Sequence, residues 1–319
     1  MKLAVLDGYA LNPGDLSWEA VARLADITVY ERTSANQVLE RAASVDIVLT
    51  NKTPLSGETL RQLPRLKYIG VLATGYNIVD VRAAMQLGIT VTNVPCYGTS
   101  SVAQLTFALL LELCHNVGNH NGAVRAGAWN RSLDWSFWLT PLVELAGKQL
   151  GLVGFGRIGR QVAKIADAFG MRVMVANHGD PNMSGSAQID IVSLQELLSN
   201  SDVVSLHCPL TAETKGMIAS EQLALMKPSA FLINTSRGQL IIDQDLADAL
   251  NSNRLAGAAL DVLSMEPPPH DNPLLSAKNC ILTPHIAWAT REARARLMDI
   301  ASENLAAFLE GKHLNLITA

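Results

Sequence analysis

The stretch Gln149-Leu-Gly-Leu-Val-Gly-Phe-Gly-Arg-Ile-Gly159 decides the fold of this chain. A largely apolar run ends in a Gly-x-Gly-x-x-Gly turn on Gly154, Gly156 and Gly159, and Arg157 to Phe169 then follows with the period of an amphipathic helix. So bare a backbone lets a pyrophosphate approach closely, and the amides that open the next helix receive its charge, so the stretch points to a bound dinucleotide. A lone glycine pattern is weak evidence, whereas one set between a strand and a helix is strong. Because this nucleotide unit opens near residue 150, the N-terminal half must have another task.

At 319 residues the chain exceeds an ordinary single domain, and two packed units are expected. Its formal net charge of -4 offers no basic footprint for nucleic acid or a membrane surface and favours a small-molecule partner. The apolar start, Met1 to Leu6, is broken by Asp7 too early for a secretory signal and reads as a strand. The richest apolar stretch, Val102 to Cys114, is interrupted by Gln104 and Glu112 and is far too short to span a membrane, so a cytoplasmic protein is expected. Cys96, Cys114, Cys208 and Cys280 are scattered without a Cys-x-x-Cys pair; they suggest neither a metal site nor a disulfide framework, and all four read as buried thiols.

Short β-branched runs alternate with helix-period segments, which predicts parallel strands and an α/β fold. The strands of the first part fall at Leu3 to Leu6, Asp46 to Thr50, Tyr68 to Leu72 and Thr90 to Asn93. After Gly151 the rhythm restarts at Arg172 to Ala176, Val203 to His207, Phe231 to Asn234, Ala258 to Asp261 and Ile281 to Leu282, as in a doubly wound nucleotide domain. Near the end, Thr290-Arg-Glu-Ala is a helix-start signal, followed by Leu297, Ile300, Leu305 and Phe308 at near-helical spacing. This helix and Thr99 to His115 are expected to be the two crossings between the units.

Ligands of doubly wound sheets lie beyond the carboxyl ends of the strands, so polar residues just after strands carry weight. Arg237, Glu266 and His285 each follow one of the later strands. An arginine fork holds a carboxylate through two parallel hydrogen bonds, and a histidine buttressed by a carboxylate exchanges a proton near neutral pH. Taken singly, each has a plainer reading as a surface ion pair, a solvated acid or a structural histidine. Together, after successive strands of one nucleotide domain, they suit an oxo acid.

With Gly154 to Gly159, Asn234-Thr-Ser-Arg-Gly238, Asp261-Val-Leu-Ser-Met-Glu-Pro267 and Thr283-Pro-His-Ile-Ala-Trp-Ala-Thr290 in order, the whole chain resembles the D-isomer specific 2-hydroxyacid dehydrogenases. Within them, Tyr68 to Asp80 and His285 to Thr290 look most like the glycerate dehydrogenases, also called hydroxypyruvate reductases. The resemblance implies two α/β domains, each a parallel sheet with flanking helices. The larger, 99–290, would be a Rossmann-type doubly wound NAD-binding domain, inserted into a smaller substrate domain of 1–98 and 291–319.

It further implies NAD(P)-dependent reduction of hydroxypyruvate or glyoxylate, with hydride coming from the nicotinamide. Arg237 would bind the substrate carboxylate and carbonyl oxygen, His285 would donate the proton, and Glu266 would orient His285 and favour its protonated form. The backbone at Ala73, Thr74 and Gly75 would hold the carboxylate from the other domain, Trp288 would limit substrate size, and Trp138 would wall the pocket of a neighbouring subunit in a homodimer. By base rate both tryptophans read instead as packing. Cofactor contacts would come from Val102, Gly154, Gly156, Arg157, Ile158, Asn177, His207, Cys208, Pro209, Thr214, Thr235 and Ser236, with Asp261 anchoring the carboxamide.

Two places depart from the family pattern. Where NAD-preferring members carry an aspartate for the ribose hydroxyls, this chain has Asn177, which no longer repels a 2′-phosphate. No arginine or lysine follows in His178-Gly-Asp-Pro181 to attract that phosphate, and Asp180 opposes it. Gln104 replaces a common glutamate, and no functional meaning attaches to it. The reading of the residues leaves open another D-2-hydroxyacid (lactate-like, branched or phosphoglycerate), and also a corepressor-like protein that binds the dinucleotide without catalysis. Few cations near the pocket segments speak against phosphoglycerate. The expected cofactor is NAD with weakened discrimination against NADP; steady-state kinetics with both reduced cofactors test this, and an efficiency far higher with NADPH than with NADH overturns it.

Overall fold

The structure, a computed structural model, describes residues 1–176 and 189–318. It divides into two compact units, 1–98 with 288–319, and 99–287.

The first unit holds a five-stranded sheet of β1 (Lys2–Val5), β2 (Asp26–Val29), β3 (Ile47–Thr50), β4 (Tyr68–Val71) and β5 (Thr90–Thr92), in the order β2-β1-β3-β4-β5. Every neighbouring pair is parallel. Side chains alternate across a strand, and β3 and β4 are buried on both faces, as a covered parallel sheet requires. Ala4, Val48, Ile69 and Val71 join one core cluster. Leu3, Val5, Ile47, Leu49 and Tyr68 join the other, packed with Leu297, Ala301 and Leu305 of the helix Arg291–Leu309. That helix starts where the sequence signals it: Thr290 Oγ1 accepts from Ala293 N at 3.2 Å. Beyond it, Leu316 forms an antiparallel bridge with Thr92.

The second unit holds seven strands: β6 (Gln149–Val153), β7 (Arg172–Ala176), β8 (Ile189–Ile191), β9 (Val203–Leu206), β10 (Phe231–Asn234), β11 (Gly257–Leu260) and β12 (Cys280–Leu282). The order is β12-β11-β10-β9-β6-β7-β8, parallel throughout. The chain enters at β6, winds outward through β7 and β8, then restarts at β9 on the other side. The order therefore reverses between β6 and β9, which is where such sheets open a ligand crevice. One face packs Leu232, Leu260 and Val204 against Leu246 and Leu250 of the helix Asp243–Asn251. The other packs Leu152, Ile233 and Val175 against Phe107 and Leu110 of the helix Thr99–His115 and Val162 and Ala166 of the helix Arg157–Ala168.

Two strands have no counterpart in the sequence reading, β2 and β8. Both are sheet edges with mostly exposed residues, so neither needs the apolar run that marks a central strand. A second correction concerns the thiols. Cys114 is buried, Cys208 and Cys280 are half-buried, but Cys96 is exposed, because it occupies a left-handed turn after β5 with φ of 67°. No helix among the described residues is long and apolar enough to cross a membrane.

Tyr68 ties the first sheet together. Fully buried on β4, it shares a 2.6 Å hydrogen bond with the Thr92 hydroxyl on β5, and its ring centroid lies 4.7 Å from that of Phe308. Burial pushes its phenol up to about 12, opposed by the bond to Thr92. Its neutral form therefore lends stability that is complete below the ordinary tyrosine pKa of about 10 and lost as pH rises through about 12. Tyr68→Phe, which leaves the Thr92 hydroxyl unpaired, is expected to cost about 1 kcal/mol in urea unfolding and to remove a tyrosinate absorbance step near pH 12.

Candidate active site

The second unit gathers the strand-end residues at one end of its sheet. Because all seven strands run the same way, the segments after β6, β9, β10, β11 and β12 emerge side by side. They carry Gly154–Ile158, His207–Pro209, Thr235–Arg237, Asp261 with Glu266, and His285.

The histidine and the glutamate meet: His285 Nδ1 lies 2.5 Å from Glu266 Oε2, and Glu266 Oε1 accepts from Leu263 N at 3.1 Å. His285 has φ of 54°, a left-handed conformation uncommon for residues other than glycine. Asp261 maintains it. Its main-chain oxygen accepts from His285 N at 2.9 Å. Its carboxylate accepts from Thr283 Oγ1 (2.6 Å), Ile286 N (2.8 Å) and Ala287 N (2.8 Å). Asp261 is only 1% exposed; burial pushes its carboxyl above the usual range, while the bonds from Thr283, Ile286 and Ala287 and the nearby His285 pull it back. Any carboxamide anchor at Asp261 is thus additional to its holding the His285 turn.

Arg237 follows β10 on a stiffened loop. Asn234 Nδ2 donates to Arg237 O at 2.8 Å, Asn234 Oδ1 accepts from Ser236 N at 3.0 Å, and Ser236 Oγ donates to Cys208 O at 2.7 Å. Among the described residues the guanidinium hydrogen-bonds through Nη1 to Ser236 O, 2.8 Å away. The loop after Arg237 lies directly against the loop that leads to Glu266: a Cβ on Gly238 would lie 1.9 Å from the Leu263 carbonyl carbon. Gln239 Nε2 donates to Ser264 O at 2.8 Å, and Asp243 Oδ2 accepts from Ser264 Oγ (2.5 Å) and Asn272 Nδ2 (2.8 Å). The sequence reading missed Gln239, Asp243 and Ser264, since no periodicity or motif marks a contact between loops.

The glycine turn separates by role. Gly154, with φ of 97°, has no room for a side chain, since a Cβ would fall 2.7 Å from Cys208 N, and at Gly159 one would fall 2.5 Å from Gly154 O. At Gly156 a Cβ would meet nothing within 4 Å, so chain packing does not require that glycine. Gly156 also caps the helix Arg157–Ala168 without a side-chain bond, leaving its first amides for an anion. These residues fit a pyrophosphate.

Around them, Thr235 Oγ1 lies 3.1 Å from Thr106 Oγ1, one turn beyond the buried Val102. Thr214 Oγ1 donates to Pro209 O at 2.8 Å, and Arg157 is exposed. His207 Nε2 lies 2.9 Å from Ser205 Oγ, and desolvation pushes its half-buried ring down to about 4, so it is neutral at ordinary pH. Asn177 lies outside the described residues.

In the first unit, Ala73, Thr74 and Gly75 follow β4, with Ala73 buried and Thr74 exposed. Trp288 is half-buried, packs on the core and meets Tyr97 edge-on, with centroids 6.3 Å apart. In the second unit Trp138 is 68% exposed.

Comparisons with known proteins identify the family. Residues 107–287 match the family model described as the D-isomer specific 2-hydroxyacid dehydrogenase NAD binding domain. A hydroxypyruvate reductase of Blautia hydrogenotrophica is 52% identical over 320 residues, covering 99% of both chains. A glycerate dehydrogenase of Methylorubrum extorquens is 40% identical over 91% of each. Among solved structures, an acyclic imino acid reductase in complex with NADPH and D-Arg superposes with a TM-score of 0.86 at 34% identity, covering 100% of both chains. On the matched domain and the near full-length relatives, this chain belongs to the D-isomer specific 2-hydroxyacid dehydrogenase family.

Proposed function

We propose that this chain, an NAD(P)-dependent oxidoreductase of that family, reduces hydroxypyruvate and glyoxylate to D-glycerate and glycolate in the cytoplasm. The carrying observation is the 2.5 Å contact between His285 Nδ1 and Glu266 Oε2. It engages one ring nitrogen and leaves Nε2, which has no partner among the described residues, to face a substrate oxygen.

When bound, the reduced nicotinamide supplies a hydride to the carbonyl carbon. Arg237 pairs with the substrate carboxylate and polarises the carbonyl oxygen, fixing the plane of the reacting carbon. As that oxygen gains the electron pair of the broken π bond, His285 Nε2 delivers a proton to it while Glu266 Oε2 holds the ring at Nδ1. The main chain at Ala73, Thr74 and Gly75 takes the carboxylate, and Trp288 restricts substrate size. The relatives named as hydroxypyruvate reductase and glycerate dehydrogenase support this substrate class. For the cofactor, NAD is preferred on the absence of a cation after Asn177.

The segment around Trp138 is assigned to a second copy of the chain. Leu133, Trp135 and Trp138 are 103%, 88% and 68% exposed, an apolar run that a lone subunit would leave in water. Sedimentation is expected to show a homodimer; a fully active monomer, established by sedimentation and assay together, refutes the pairing.

His285→Gln is expected to lower NADH oxidation with hydroxypyruvate by roughly 100- to 10,000-fold, the usual contribution of a positioned acid, with the thermal transition unchanged. Dinucleotide binding that persists while wild-type protein shows no turnover on any short 2-oxo acid would instead favour a binding protein.

A further inference from the structure

We propose that Asn51 and Asn93 are positioning residues which hold the loop after β4 so that two consecutive main-chain N–H groups, those of Thr74 and Gly75, face the substrate carboxylate. The inference rests on the reading of this loop as the carboxylate site and adds what builds it.

In a trans peptide the C=O and the N–H of one unit point in opposite directions, so anchoring the oxygen aims the hydrogen. Three successive units after β4 are anchored in this way. Asn51 Nδ2 donates to Leu72 O at 2.6 Å, Val94 N donates to Ala73 O at 3.0 Å, and Asn93 Nδ2 donates to Thr74 O at 2.7 Å. The matching N–H groups belong to Ala73, Thr74 and Gly75, and none of them donates to another group among the described residues. Thr74 Oγ1, which donates to Val94 O at 2.9 Å, holds the loop to the same neighbour. Leu72 O is held from the β3 side, which fixes the root of the loop, whereas Ala73 O and Thr74 O are both held from the β5 side, so the Thr74 and Gly75 N–H groups turn the same way, a pair of donors that a carboxylate accepts from.

Each asparagine is itself braced. Asn51 is 2% exposed and sits in a turn wrapped around the Asp7 carboxylate, which accepts from Asn51 N (2.8 Å), Lys52 N (2.6 Å) and Thr53 N (2.8 Å). Its Oδ1 is buried with no partner among the described residues, an expense that an apolar side chain would avoid, so what asparagine supplies here is Nδ2. Asn93 is gripped through its main chain: its N donates to Asn315 O at 3.3 Å and its O accepts from Asn304 Nδ2 at 2.9 Å. Asn315 Nδ2 in turn donates to Asn304 Oδ1 at 2.8 Å, which joins the segment after the last helix to the loop.

The test uses full-length protein labelled with [15N]glycine, titrated with oxamate, a carboxylate that is not reduced, in the presence of NADH. In the wild type the Gly75 amide resonance is expected to move with oxamate. In Asn93→Ala, and independently in Asn51→Ala, the midpoint of that movement and the KM for hydroxypyruvate are expected to rise together by roughly tenfold, the loss of about 1.4 kcal/mol. The KM for NADH stays as in the wild type, which a general loss of structure would not allow. Asn93→Ala removes a partly exposed side chain and supplies the answer if Asn51→Ala fails to fold. A Gly75 resonance that responds with unchanged midpoints in the variants overturns the positioning role alone. A wild-type Gly75 resonance that ignores oxamate overturns the loop reading and the proposal with it.

Discussion

The buried Asp261 carboxylate is the constraint on which the reactive end of the second unit depends. It takes three donors from the segment 283–287 and so holds that segment in a turn that His285 could not easily adopt by itself. The proton transfer proposed for His285 needs a ring that is held, and the ring is fixed from both sides, by Asp261 through the main chain and by Glu266 at Nδ1. Asp261 is therefore more a part of the frame than of the reacting set, and its burial gives each of its bonds more weight than the same bonds in water.

The same economy appears in the first unit, where Asp7 plays for the turn 50–53 the part that Asp261 plays for 283–287. In each case a carboxylate immediately beyond a strand accepts from successive main-chain amides of a neighbouring strand end. Parallel sheets bring such ends side by side, so an acid on one strand can organise the loop of the next without any contact being local in sequence.

The central strands were legible because both of their faces are buried, which forces continuous β-branched runs such as Ile47–Thr50 and Phe231–Asn234. The edges β2 and β8 were not, because edge residues answer to solvent as much as to the core. The glycine turn and the pairing of Glu266 with His285 could be anticipated from motif and resemblance. What could not be anticipated were the bonds made by Asp261, Asp243 and Asn93, since each joins residues that only the fold brings together and whose types are common in loops generally. The exposure of Cys96 escaped for a related reason, since a positive φ after Pro95 leaves no trace in composition.

Gly238 sets a limit on how this site can be reshaped. Since even a methyl group there would overlap the Leu263 carbonyl, the stems that carry Arg237 and Glu266 rest main chain on main chain, with no side chain acting as a spacer. The gap between cation and acid is accordingly a fixed gauge, insensitive to the size of the residues around it. If Arg237 and Glu266 act on the substrate as proposed, variation in substrate length must be accommodated elsewhere, because enlarging this joint would dismantle the scaffold first.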